Sequence, residues 1–172
     1  RSLKMFKQTF YDQPQNIQKV ILDETTTLRN PKALLFLLEL LSDRNLKHLS
    51  NIIEWSLYNV QTKKKIGTII NFYPTTNTIT KYRLINLLGD FDDDKCRGHF
   101  IDVLNSTEED IMVKALALHH LSHYKDKITT KEMEKYLLSD NRIIRHSSIK
   151  SLLNINKEIA KKTIDILLSQ HD

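Results

Sequence analysis

The chain has 172 residues and a formal net charge of +5, long enough for one domain with a sizeable core and only mildly basic. Its 40% hydrophobic and 27% charged residues argue against disorder, and no run of about 18 apolar residues exists to cross a membrane as a helix. With 3 Gly and 3 Pro it has too few chain breakers for a many-stranded β protein, so helices joined by short turns are expected.

The predicted elements run in order as follows. Residues 1–12 form a short amphipathic piece with Leu3, Met5, Phe6, Phe10 and Tyr11. Pro14 opens a helix carrying Ile17, Val20, Ile21 and Leu22, and Thr25, Thr26 and Thr27 end it. Asn30-Pro31 is an N-cap followed by a first-turn proline, opening a nearly all-apolar helix to Leu41. Asp43 caps the next helix, to about Asn59. Thr62-Lys63-Lys64-Lys65 opens another, closed by Pro74, and residues 79–88 are helical again with Gly89 in the place of a C-cap glycine. Asp92-Asp93-Asp94 leads into a helix through Phe100 and Leu104. Ser106 with Glu109, and Thr129 with Glu132, read as capping boxes for the two helices that follow. An Asp140-started helix runs to about Asn154, and a last helix covers 157–168.

The second helix of each pair repeats. Leu46, Thr80, Val113 and Ile144 recur at steps of 34, 33 and 31 residues. The next position is Lys47, Lys81, Lys114 and Arg145, always basic. Four residues after the first come Ser50, Leu84, Ala117 and Ser148, mostly small, which lets neighbouring helices approach closely. A period of this size means stacked helix pairs, about ten helices in all. The basic position is expected to reach a carboxylate or carbonyl of a neighbouring turn.

The pattern of Asp, a short turn, an apolar residue followed by Arg or Lys, a small residue and an apolar close resembles HEAT repeats of the armadillo-like superfamily, in the short phycobilisome-lyase variant. It is best at Asp140–Leu153, fair at Asp43–Leu57 and Asp110–Leu121, and weak at Thr80–Gly89, where Leu84 replaces the small residue. The resemblance implies an all-α fold, a right-handed α-solenoid of stacked antiparallel helix pairs. The single domain 1–172 would hold a partial repeat at 1–28, repeats at 30–59, 62–89, 94–124 and 129–154, and a capping helix at 157–168. It also implies a binding scaffold that is not an enzyme.

His119 and His123 lie at i, i+4, a possible metal pair, but no Cys is near and no Glu lies between them; no metal site or cofactor is expected. Asp92-Asp93-Asp94 lacks Ca-loop spacing and reads as an acidic helix start. Cys96, the one cysteine, excludes an internal disulfide and reads as a structural or surface thiol rather than a reactive one. In the family the second helices line the concave face. Helical-wheel positions opposite the core give one column of His48, Tyr82, Ala115 and His146. A second is Ile52, Asn86, His119 and Lys150, and a third includes Trp55, Gly89, Ser122 and Leu153. From these, His48, Trp55, Tyr82, His119, His146 and Lys150 are the expected partner-binding residues. Trp55, the only tryptophan, is either a binding hot spot in the groove or packed against a neighbouring helix or an N-terminal element.

The expected function is a cytoplasmic protein–protein interaction scaffold for a protein or peptide partner. One alternative is nucleic-acid binding through Lys47, Lys81, Lys114, Arg145 and Lys150, against which acidic residues are interspersed. The other is the soluble arm of a membrane-anchored protein, suggested by the non-Met start and by Arg1, Lys4 and Lys7.

Overall fold

Side-chain caps set most of the helix starts. The Asn30 side chain accepts the Lys32 N–H at 2.9 Å, and Pro31 occupies the first helical position, where its missing N–H costs nothing. The computed structural model describes residues 3–169, with side chains from residue 7 onward, and every regular element among them is helical. Arg1 and the side chains of Leu3, Lys4, Met5 and Phe6 lie outside the described residues.

The helices are α1 (Leu3–Tyr11), α2 (Gln15–Thr27), α3 (Pro31–Ser42), α4 (Ser50–Asn59), α5 (Lys65–Phe72) and α6 (Thr78–Gly89). They continue as α7 (Asp94–Asn105), α8 (Ile111–Leu121), α9 (Lys127–Glu134), α10 (Arg142–Ile155) and α11 (Lys157–Ser169). Short 3₁₀ segments, Arg44–Leu49 and Tyr73–Thr75, precede α4 and follow α5. No helix among the described residues is long and apolar enough to cross a membrane.

The chain forms two units, Arg1–Leu87 and Leu88–Asp172. In the first, α4 packs on α2 and α3, and α5 packs on α3. Phe10 and Phe36 meet edge to face at 5.6 Å, a favourable aromatic geometry. The half-buried Tyr11 hydroxyl donates to Asp43, and buried Ser56 Oγ donates to the Leu22 carbonyl at 3.2 Å, so these polar groups link elements of the unit. In the second unit, α8 packs on α7 and α10, and α10 also packs on α9 and α11. Arg97 Nη1 reaches Asp126 at 2.6 Å and its guanidinium lies over the Tyr124 ring, while the Tyr124 hydroxyl donates to the Phe91 and Asp93 carbonyls. That cluster ties the start of α7 to the start of α9.

The repeated positions are core. Leu46, Thr80, Val113 and Ile144 are buried, as are Ser50, Leu84, Ala117 and Ser148. Ser148 Oγ donates to the Met133 carbonyl at 2.7 Å, so α10 lies close against α9 at this point. Arg145 Nη1 donates to the Ser139 carbonyl at 2.5 Å, the expected reach into a neighbouring turn. Lys81 does something else: its ammonium sits 5.2 Å from the Tyr73 ring centroid.

Several local expectations are corrected. The helix foreseen from Asp43 to Asn59 splits, because Leu46 departs from helical geometry (φ −97°, ψ 15°) and a 3₁₀ segment comes before α4. Asp43 still caps, accepting the Asn45 N–H at 2.9 Å. Neither capping box forms. Asp110 caps α8 by accepting the Met112 N–H, and Asp126 caps α9 by accepting the Thr129 N–H, each a stronger acceptor than the hydroxyl foreseen. Asn141, not Asp140, caps α10. Pro14 sits at the N-cap of α2 rather than in its first turn.

Gly89 is also not an αL cap, since no glycine has positive φ. It ends α6 where the His120 ring occupies the space a side chain would need: a Cβ there would lie 2.0 Å from His120 Nδ1. Gly89→Ala should therefore destabilise by about 1–3 kcal/mol, the usual cost of overpacking. Urea unfolding of the variant measures it, and unchanged stability would show that the ring can move aside.

Candidate functional site

Each of the six expected partner-binding residues stands on a helix or a helix-like turn with its side chain exposed. His48, Trp55 and Tyr82 belong to the first unit, and His119, His146 and Lys150 to the second. Trp55 is 52% exposed, so the alternative in which it is packed away against a neighbouring helix does not hold. Its exposure follows from α4 itself, which buries Ile53, Ser56 and Leu57 and turns Trp55 and Tyr58 outward.

The third wheel column is not open throughout. Ser122 is buried and donates to the His119 carbonyl at 2.6 Å, and Gly89 faces the His120 ring. Sequence reasoning missed Tyr58, which is exposed three residues after Trp55; the i, i+3 aromatic spacing was the available signal.

In the first unit, a cavity of about 300 Å³ is lined in part by Arg44, Lys47, Asn77, Ile79 and Arg83, and neither His48 nor Tyr82 lines it. Its charges are partly spoken for, since Arg83 pairs with Glu54 and Asp43 accepts from Tyr11 and Asn45. Ile79 is exposed and supplies an apolar lip.

In the second unit, three histidine rings cluster at the C-terminal end of α8, His119 and His120 on the helix and His123 just after it. His119 and His123 are 5.5 Å apart edge to face, and His120 lies 5.2 Å from His119. They divide by environment. His119 and His123 are exposed, whereas His120 is 6% exposed and stacks on Phe100 at 5.8 Å. Neither His120 ring nitrogen has a hydrogen-bond partner. Burial, and then the neighbouring His119 and His123, push its pKa down to about 4. Burial, then His123 and Lys150, also lower His119, so Lys150 on α10 acts electrostatically on that exposed histidine. No group of three or more potential ligands among the described residues has metal-binding geometry. Cys96 is fully buried, and burial followed by Asp93 pushes its thiol up to about 12, so it is a structural thiol rather than a nucleophile.

No family model matches the chain. No curated protein matches it either. Among solved structures, it is similar to human deoxyhypusine hydroxylase, determined in complex with glycerol, with a TM-score of 0.59 and 14% identity over 75% of this chain. The chain spans 44% of that protein's length. The likeness shows an all-helical, HEAT-like repeat fold and carries no activity with it. It does correct one expectation. The HEAT resemblance implies that the chain is not an enzyme, yet an enzyme carries the same fold, so the fold gives no ground for excluding catalysis.

The buried histidine makes stability depend on pH. Unfolded, His120 takes a proton near 6.5; folded, it does so only near 4. Between those values the unfolded chain binds more protons, so stability is fully present above about pH 6.5 and is lost as pH falls towards 4. At pH 5 relative to pH 7.5, wild type should lose about 2 kcal/mol more than His120→Leu, read from paired urea titrations. Equal losses would show that His120 is not the titrating group.

Proposed function

We propose that the chain is a HEAT-type repeat protein of the armadillo-like superfamily that binds a protein partner through residues exposed on the second helices of each unit. The observation that carries this reading is the 52% exposure of Trp55, the one tryptophan in the chain. Tryptophan is highly buried on average, and exposed aromatics on rigid helices are favoured binding anchors. His48 and Tyr82 in the same unit add exposed polar and aromatic surface, and His119, His146 and Lys150 do so in the second. A buried, unreactive Cys96 suits the reducing cytoplasm proposed as its setting.

Nucleic-acid binding is less well supported. Arg145 is turned onto the Ser139 carbonyl and Lys81 onto the Tyr73 ring, so two of the five cations invoked for it are already engaged.

Affinity capture with immobilised wild-type chain, repeated with Trp55→Ala and Lys150→Glu, tests the proposal. Both variants should keep wild-type helicity and melting, because neither side chain is buried. Trp55→Ala should weaken capture by tenfold or more, as loss of a hot spot of about 2 kcal/mol does. Undiminished capture by both variants would overturn the reading, as would Trp55→Ala unfolding the protein.

A further inference from the structure

The loops that precede α3 and α5 bring Arg29, Lys63 and Lys64 to one place. These residues, with Pro31, Gln61 and Thr62, line an open depression of about 830 Å³ in the first unit. No carboxylate lines it. Some other cations carry counter-charges, Lys7 with Glu39, Arg83 with Glu54, Arg97 with Asp94 and Asp126, and Lys135 with Glu132. Among the described residues, Arg29, Lys63 and Lys64 pair with none, and all three are exposed.

Local bonding holds both loops. The Leu28 N–H donates to the Thr25 carbonyl at 3.2 Å and the Asn30 N–H to the Leu28 carbonyl at 2.7 Å, which fixes the chain on either side of Arg29. On the other side, Lys65 works for the fold. Its ammonium donates to the Tyr58 and Val60 carbonyls and lies 5.6 Å from the Tyr58 ring centroid, and burial lowers its pKa. The run Lys63-Lys64-Lys65 thus divides into two outward charges and one clamp, which ties the loop to the end of α4 that carries exposed Trp55 and Tyr58.

We infer that this depression docks an acidic segment of a protein partner, its carboxylates meeting Arg29, Lys63 and Lys64. The inference rests on the partner-binding reading above and gives that partner its chemistry. Charge complementarity is the ground: a concave surface with three cations and no acid recruits carboxylates, and an Arg can take one bidentately. Magnitude decides against nucleic acid. Three phosphate contacts give a salt slope of only about −2.7, well short of the 6–10 contacts on which duplex binders depend. An acidic peptide needs only a few charge-assisted bonds beside an aromatic anchor.

The probe is a fluorescein-labelled hexaglutamate peptide, followed by anisotropy, against hexaglutamine and a 20-residue oligothymidylate. Arg29→Glu/Lys63→Glu/Lys64→Glu should weaken hexaglutamate binding at least tenfold. Lys125→Glu/Lys131→Glu/Lys157→Glu makes the same change in net charge in the second unit and should shift it less than threefold. Hexaglutamine should not bind. Equal loss in both triple variants would reduce the effect to net charge and overturn the site, as would no loss in the first. Oligothymidylate binding more tightly than hexaglutamate at 150 mM salt, and lost with the first triple variant, would make it a nucleic-acid site instead. Failure here leaves the wider reading standing if Trp55→Ala still abolishes partner capture; failure of both removes the two together.

Discussion

Close approach of neighbouring helices is the constraint on which both units depend. It needs small or well-fitted side chains at one position of alternate helices. Ser50, Ala117 and Ser148 supply them, beside the apolar positions Leu46, Val113 and Ile144. Where a serine is used its hydroxyl is satisfied, Ser50 on the Lys47 carbonyl and Ser148 on the Met133 carbonyl. A buried hydroxyl without a partner would cost on the order of 1–3 kcal/mol, so these bonds are what make a polar small residue tolerable there. Gly89 is the extreme case, giving up its side chain to the His120 ring. Once the buried stripe is set, the helical period turns the opposite stripe outward, and the candidate binding residues are that outward stripe.

Charge is distributed in two ways. Ion pairs and caps hold helix ends together, as in the Asp93, Arg97, Tyr124 and Asp126 cluster, where the Thr129 N–H and then Arg97 hold Asp126 below the usual carboxylate range. Arg29, Lys63 and Lys64 have no such duty and gather where two loops meet. His120 belongs to neither class. It is a neutral, space-filling ring, and its depressed pKa is a consequence of that packing.

Helix positions and the repeat were legible because each rests on periodic burial, which a sequence records directly. Asn30-Pro31 was legible for a similar reason, since proline has only one comfortable place in a helix. Caps were less so. Ser106 and Asp110, or Thr129 and Asp126, are alternative acceptors a few residues apart, and the choice depends on where the chain leaves the preceding helix. Gly89 was misread because its reason lies 31 residues away in His120. The exposure of Trp55 could be raised from the wheel, but the environment that leaves it uncovered could not. The Arg29, Lys63 and Lys64 depression joins loops distant in sequence, and the Lys63-Lys64-Lys65 run alone reads as a helix start. Function is less legible still, because the helical-repeat fold is shared with a hydroxylase at 14% identity and fixes no chemistry.

Thermal unfolding of Ser148→Leu tests the close-approach constraint most directly. Ser148 is fully buried and bonded to the Met133 carbonyl, so the larger side chain must force α10 away from α9. A loss of about 1–3 kcal/mol is expected, which lowers the melting midpoint by about 2–12 °C in a chain of this length. An unchanged or raised midpoint would mean that the helices do not need a small residue there, and the packing basis of the repeat would be wrong.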